Sequence, residues 1–192
     1  MLMRGLMPIV IAAVTLGAAV PPAMADEELT GQTVIEDFNM QSETRWRFFT
    51  DQVMGGVSTG GVAFAQEDCT PYARMTGRVS TANRGGFIQM RLDLANPPPE
   101  GTIGVRLVVR GNGQRYFVHL RTGGTLLPWQ YYQAGFDVTE NWAEVRLPLD
   151  AFVASGALLR KVPLAGRMSS LAVVAYGRDY DARIDVREVG FY

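Results

Sequence analysis

From Thr33 to Phe191 the chain repeats one pattern. Short runs of alternating apolar and polar residues are separated by Gly, Pro, Asn and Asp at close spacing. Successive side chains of a strand point to opposite faces, so such alternation marks half-buried β-strands, whereas a helix needs a period near 3.6 residues. The pattern predicts strands near Thr33–Phe38, Trp46–Phe49, Gly61–Ala65, Ala73–Val79, Phe87–Leu94, Ile103–Arg110, Tyr116–Arg121, Gln130–Phe136, Ala143–Pro148, Ser170–Ala175 and Arg183–Phe191. Breakers such as "ANPPPEG", "GNGQ", "TGGT", "DVTEN" and "YGRDYDA" stand between them. The only helical hint, "LDAFVASGALL", reads as a turn of helix in a connection. About ten short strands at this spacing predict an all-β sandwich or barrel.

The alternation also sorts residues by face. Ile88, Met90 and Leu92 oppose Phe87, Gln89 and Arg91, and Tyr116, Val118 and Leu120 oppose Arg115, Phe117, His119 and Arg121. Tyr132, Ala134 and Phe136 oppose Trp129, Tyr131 and Gln133. Ile103, Val105, Leu107 and Val109 oppose Arg106 and Arg110, and Val145, Leu147 and Leu149 oppose Glu144 and Arg146. The first set in each pair is the expected core. The candidate binding face is therefore Gln89, Arg91, Arg106, Phe117, His119, Arg121, Trp129, Tyr131, Gln133 and Arg146, on the expectation that these strands are neighbours. Aromatic residues and arginine are what binding surfaces favour.

The first 25 residues are expected to be a leader rather than part of the fold. "MLMRGLMPIVIAAVTLGAAVPPAMA" has a basic start at Arg4, an apolar run from Leu6 to Val20, and Ala23-Met24-Ala25 before "DEE". This is a secretory signal peptide with cleavage expected between Ala25 and Asp26. The run ends at Pro21-Pro22 and is shorter than a membrane span. Residues 26–192 are then one domain, periplasmic or secreted, with no transmembrane segment. Without Arg4 it has 17 basic and 19 acidic residues, a net charge of −2. That balance gives no basic footprint for nucleic acid. Every basic residue except Lys161 is Arg. The single cysteine, Cys69, has no partner for an intramolecular disulfide and is expected to be a small buried hydrophobe.

Catalytic signatures are missing. His119 is the only histidine, no Cys/His cluster has metal-ligand spacing, and no G-x-S-x-G surrounds a serine. The doublets Gly55-Gly56 and Gly85-Gly86 are not followed by G-K-[ST] and form no G-x-G-x-x-G. They are expected to be architecture: a bulge, or a positive-φ turn where backbones approach closely, with Asp51 capping the turn through backbone N–H groups. Asp137, Asp150 and Glu144 also sit at strand ends or turns. No enzyme, cofactor or metal site is expected.

Several blocks carry a family likeness. "WRFFTDQVMGGVSTG", "MTGRVSTANRGGFIQMRLDL", "VRLVVRGNGQRYFVHLRT" and "YYQAGFDVTENWAEVRLPLDAFV" follow in that order. Together they resemble the complex I intermediate-associated protein 30 family over about Val34 to Tyr192. The motif residues are Trp46, Asp51, Met54, Gly55, Gly56, Ser58, Gly85, Gly86 and Phe87. The resemblance implies a galactose-binding-domain-like jelly-roll β-sandwich, similar to some carbohydrate-binding modules. It also implies a non-catalytic assembly factor that holds intermediates of NADH:ubiquinone oxidoreductase through protein contacts. An exported member would meet a periplasmic part of a membrane complex. A periplasmic carbohydrate-binding module is the alternative, its glycan held on the same face.

The leader is checked by mass spectrometry of the protein recovered after export, which is expected to begin at Asp26.

Overall fold

The computed structural model describes residues 32–192, so the leader lies outside the described residues. Twelve strands form two antiparallel sheets. They are β1 (Thr33–Glu36), β2 (Trp46–Thr50), β3 (Thr59–Glu67), β4 (Thr70–Val79), β5 (Phe87–Asp93) and β6 (Gly104–Gly111). Then come β7 (Arg115–Thr122), β8 (Tyr132–Asp137), β9 (Ala143–Pro148), β10 (Val153–Ala154), β11 (Met168–Tyr176) and β12 (Tyr180–Phe191). Sheet A runs β3-β4-β12-β6-β9, with β1 also paired to β12, and sheet B runs β10-β8-β7-β11-β5-β2. The helical hint at Leu149 is one 3₁₀ turn, Leu149–Ala151, followed by the short β10.

The core lies between the sheets, where the apolar halves of the alternating strands meet. Met75, Ile88, Met90, Leu107, Tyr116, Leu120, Leu171 and Ile184 are fully buried there. Each such side chain contributes roughly 1.5–3 kcal/mol. Tyr116 keeps its phenol satisfied inside the core: it donates to Asn112 Oδ1 at 2.7 Å and accepts from Arg183 N at 2.8 Å. Ile103, expected in the apolar set, falls just before β6 and is exposed.

Cys69 corrects another expectation. It is exposed, and with Asp68 it forms the two-residue turn joining β3 to β4, both residues at positive φ. A right-twisted hairpin needs that geometry in a two-residue loop. The position selects for turn conformation, which overrides the burial tendency of cysteine.

Buried carboxylates hold the crossings between sheets. The link from β2 to β3 and the link from β4 to β5 both pass between sheet B and sheet A, and Asp51 ties them together. Its Oδ1 accepts from Ser58 N at 2.9 Å, and its Oδ2 accepts from Ser58 Oγ at 2.5 Å, Gly86 N at 2.6 Å and Phe87 N at 3.3 Å. Ser58 Oγ also accepts from Ser80 N at 2.9 Å. A Cβ at Gly56 or Gly85 would collide with the Asp51 side chain, while Gly55 and Gly86 sit at φ +88 and +127. Both doublets thus combine a close approach with a left-handed backbone. Met54 in the same motif is exposed. Glu36 plays the matching part at the link from β1 to β2. It accepts from Phe38 N, Ser42 Oγ, Arg45 and Trp46 Nε1, and the Trp46 ring stacks on Phe38.

Burial pushes the Asp51 carboxyl up, but the Ser58 hydroxyl and the amides of Gly86, Ser58 and Phe87 outweigh it, so the group lies below its ordinary value. A depressed carboxyl stabilises the fold above its unfolded pKa, and that stabilisation is lost as pH falls through the folded value. Asp51→Ala is expected to cost about 3 kcal/mol by denaturant melts, since it strands buried donors. Gly56→Val and Gly86→Val are expected to lower the melting temperature as well. Asp51→Asn should flatten the acid limb of stability against pH relative to wild type.

Candidate functional site

The outer face of sheet B carries the larger part of the predicted face. Strand register aligns Gln133, His119, Ala172, Arg91 and Arg47 in one row across five strands. The next row is Gly135, Phe117, Val174, Gln89 and Phe49. Ala172 and Val174 are buried and form a floor of small side chains along β11. Larger groups stand on both sides of it.

One side is a fixed aromatic cluster. The rings of His119 and Tyr131 stack at 4.1 Å and 9°. Tyr176 meets His119 and Phe117 edge-on at 5.8 and 5.9 Å. His119 Nε2 donates to Gln133 Oε1 at 2.8 Å, which fixes the ring in its Nε2–H tautomer. Burial pushes the His119 pKa down to about 4, against a smaller upward pull from Gln133. Burial and the neighbouring Tyr176 hold the Tyr131 hydroxyl well above its ordinary value.

The other side is cationic. Arg91 lies over the Phe49 ring at 4.8 Å, and Arg47 lies over the same ring at 5.8 Å. Asp93 is shared: it accepts from Arg47 and stands 3.3 Å from Arg91 Nε. Arg91 Nε is buried and has no hydrogen-bond partner. Burial, with repulsion from Arg47 and Arg121, pushes this guanidinium below its usual range, while Asp93 pulls the other way. It remains a cation, because arginine starts so high. Two strand spacings, about 10 Å, separate it from His119 across the Ala172 floor.

Two predicted residues do not belong here. Arg106 and Arg146 lie on sheet A, because β6 and β9 pair with β12 rather than with the strands of sheet B. Arg106 is engaged by Glu144 at 2.7 Å and Glu188 at 2.6 Å; Arg146 donates to Glu144 and lies over Tyr192. Trp129 is not on β8 but in the loop before it, and is exposed. Arg121 starts on the face but folds back onto the same loop. It donates to the carbonyls of Thr125 at 2.9 Å and Leu127 at 3.1 Å. Tyr131, His119 and Gln133 thus touch one another, while Gln89 and Arg91 stand across the floor. Arg47, Phe49, Ala172 and Tyr176 complete the face without having been singled out in the sequence. Among the described residues no group of three or more His, Cys, Asp or Glu is placed to hold a metal.

The architecture defines a class. A family 11 carbohydrate-binding module of the cellulase Lic26A-Cel5E of Clostridium thermocellum superposes with a TM-score of 0.68 at 9% identity, covering 84% of this chain and 94% of that one. A family 11 module from the same organism in complex with a β-1,3-1,4-mixed-linked tetrasaccharide gives 0.67 at 9% identity, covering 83% and 94%. The family 30 module of its cellulase Cel9D-Cel44B gives 0.51 at 12% identity, covering 71% and 90%. The fold is therefore that of the carbohydrate-binding-module sandwiches. Comparison with curated proteins returns no match. The profile of complex I intermediate-associated protein 30 matches residues 36–177, and the chain belongs to that family.

His119 is expected to stay neutral on this face from pH 8 to about 5 and to titrate near 4 by NMR. A histidine whose folded pKa lies below its unfolded 6.5 contributes full stability above 6.5 and loses it as pH falls toward 4.

Proposed function

We propose that the chain is a non-catalytic binding domain, exported after removal of residues 1–25, that holds a subunit of a respiratory membrane complex on the outer face of sheet B. The carrying observation is Arg91: a half-buried guanidinium set over Phe49, its Nε making no hydrogen bond and standing 3.3 Å from Asp93, facing a rigid aromatic cluster. Buried arginine and tyrosine anchors dominate binding energy at protein interfaces. The face is pre-organised by its own stacking and hydrogen bonds, which lowers the ordering cost of association. His119 Nε2 is committed to Gln133, so the single histidine serves positioning. Family membership supports an assembly role. The face has no cofactor to hold in this reading.

A second reading places an oligosaccharide on the same face. It is favoured by the likeness to a module solved with a tetrasaccharide, and by Gln133 beside the His119–Tyr131 stack with Gln89 and Arg91 across the floor.

Affinity capture from membrane extract, with a glycan array alongside, separates the two. Respiratory-complex subunits are expected with wild type and about tenfold less with Arg91→Ala or Tyr131→Ala, the size of a ~1.4 kcal/mol anchor loss. Melting temperatures should be unchanged. Glycan binding that disappears in Tyr131→Ala, with no subunit captured, would transfer the face to sugar.

A further inference from the structure

We propose that one end of sheet B is a membrane-docking surface, whose apolar tips enter the headgroup region of an anionic bilayer. At this end β7 passes to β8 through residues 123–131, and β10 passes to β11 through residues 155–167. The two segments are held together by backbone and side-chain bonds. Gly123 N donates to Arg167 O at 2.9 Å, Ser155 Oγ donates to Trp129 O at 2.9 Å, and Ser155 N donates to Tyr131 O at 2.9 Å.

Large apolar side chains crowd the outside of this end. Leu126 is 84% exposed, Trp129 64%, Val153 71% and Leu158 92%, and Leu127, Val162 and Leu164 are exposed with them. No packing need inside the sandwich accounts for them. An exposed patch of this kind marks a site of interaction.

The free charge on these two segments is of one sign, and Asp93, opposite Ser170 at the same end of the sheet, is engaged by Arg47 and Arg91. Residues 121–136 and 151–177 contain no Asp or Glu, although the chain as a whole is slightly acidic. Arg160, Lys161 and Arg167 are exposed there, and none forms an ion pair among the described residues. Asp150, at the margin, lines the depression beside Val153 and Lys161. Leucine and tryptophan tips with free basic residues, and carboxylates only at the margin, are complementary to anionic lipid: the apolar groups enter the interface and the cations meet the headgroups. The tips are also stiff. Arg121 ties the Thr125 and Leu127 carbonyls, and Leu127 N donates to Gln130 Oε1 at 3.0 Å, so the loop is braced by the protein's own side chains. Docking at this end sets the outer face of sheet B beside the bilayer surface.

The test is cosedimentation of the purified protein with vesicles of phosphatidylcholine and phosphatidylglycerol, against vesicles of phosphatidylcholine alone. Wild type is expected to pellet with the anionic vesicles and to be released by salt. Leu126→Asp with Leu158→Asp should lower the partition about tenfold, a change equivalent to ~1.4 kcal/mol. Arg160→Glu with Lys161→Glu should remove the preference for phosphatidylglycerol. Val53→Asp, at the opposite end of sheet B, should bind as wild type. Trp129 emission should shift to the blue on anionic vesicles, and the shift should be absent in Trp129→Phe. The proposal is overturned by wild type that fails to pellet with anionic vesicles, or by Leu126→Asp/Leu158→Asp protein that pellets equally. It is overturned too if the exposed tips join two copies in solution, seen as a dimer that those substitutions dissolve. Subunit capture by the Arg91 face is read separately, so the failure of either idea leaves the other standing.

Discussion

A carboxylate with no exposure and no cation among its hydrogen-bond partners sits where the two sheets are joined. Asp51 takes donors from Ser58, Gly86 and Phe87, residues that enter sheet A on one side and sheet B on the other. A buried charge is tolerable only when such donors are complete. That requirement explains the glycine doublets together with the aspartate: Gly56 and Gly85 leave room for the side chain, and the amides that follow are turned toward it. Glu36 repeats the device with Trp46, Arg45 and Ser42 at the crossing from β1 to β2. The sandwich is closed at its crossings by anions whose ligands are mostly main-chain and neutral groups.

Much of this fold was legible, and the reason is the period. Alternation separated core from surface correctly in β5, β7 and β8, because a half-buried strand leaves a two-residue signature. It could not say which sheet a strand joins. Arg106 and Arg146 looked like companions of Arg91, yet β6 and β9 pair with β12, a contact between residues far apart in the chain. The floor of the candidate face was hidden for a different reason. β11 reads "LAVVAY", nearly all apolar, so no alternation marks Ala172 and Val174 as outward, and Tyr176 opens the breaker "YGRDYDA". Arg47 and Phe49 lie on a short edge strand, "WRFFT", whose paired phenylalanines break the alternation that marks a face. Trp129 was displaced by two residues of strand boundary, and Cys69 by a turn whose Asp-Cys pair is not one of the usual left-handed dipeptides.

The two outer faces use similar residues to opposite effect. On sheet A, Asp185 receives two hydrogen bonds from Arg74, at 2.6 and 2.7 Å, and one from Arg110, at 2.8 Å. Glu67 takes Arg110 as well, and Trp142 and Tyr72 lie beneath the guanidinium groups. Asp185 is answered from both neighbouring strands, which fixes the register of β4, β12 and β6, while Arg187 Nε, buried on the same sheet, makes no hydrogen bond. On sheet B, Arg47 and Arg91 share Asp93, and Arg91 Nε stands 3.3 Å from that carboxylate without a hydrogen bond. Composition would rank both faces as binding surfaces, and each holds one arginine nitrogen without a hydrogen bond; what separates them is the row of small side chains, Ala172 and Val174, that forms a floor between larger groups on sheet B.

β12 gives the fold a timetable. It pairs with β4 through Tyr180–Val186, with β6 through Ile184–Phe191, and with β1 at Val189–Phe191. Sheet A therefore lacks its middle until β12 has been made. A chain growing from its amino end has β3 and β4 as an isolated hairpin, which alone is marginal in water, and their apolar sides wait for more than a hundred residues. Non-local pairing of this kind is slow and leaves strand edges open meanwhile. Until β12 is in place the inner edges of β4 and β6 stand unpaired, so the order of synthesis sets how long two strand edges are open to other chains.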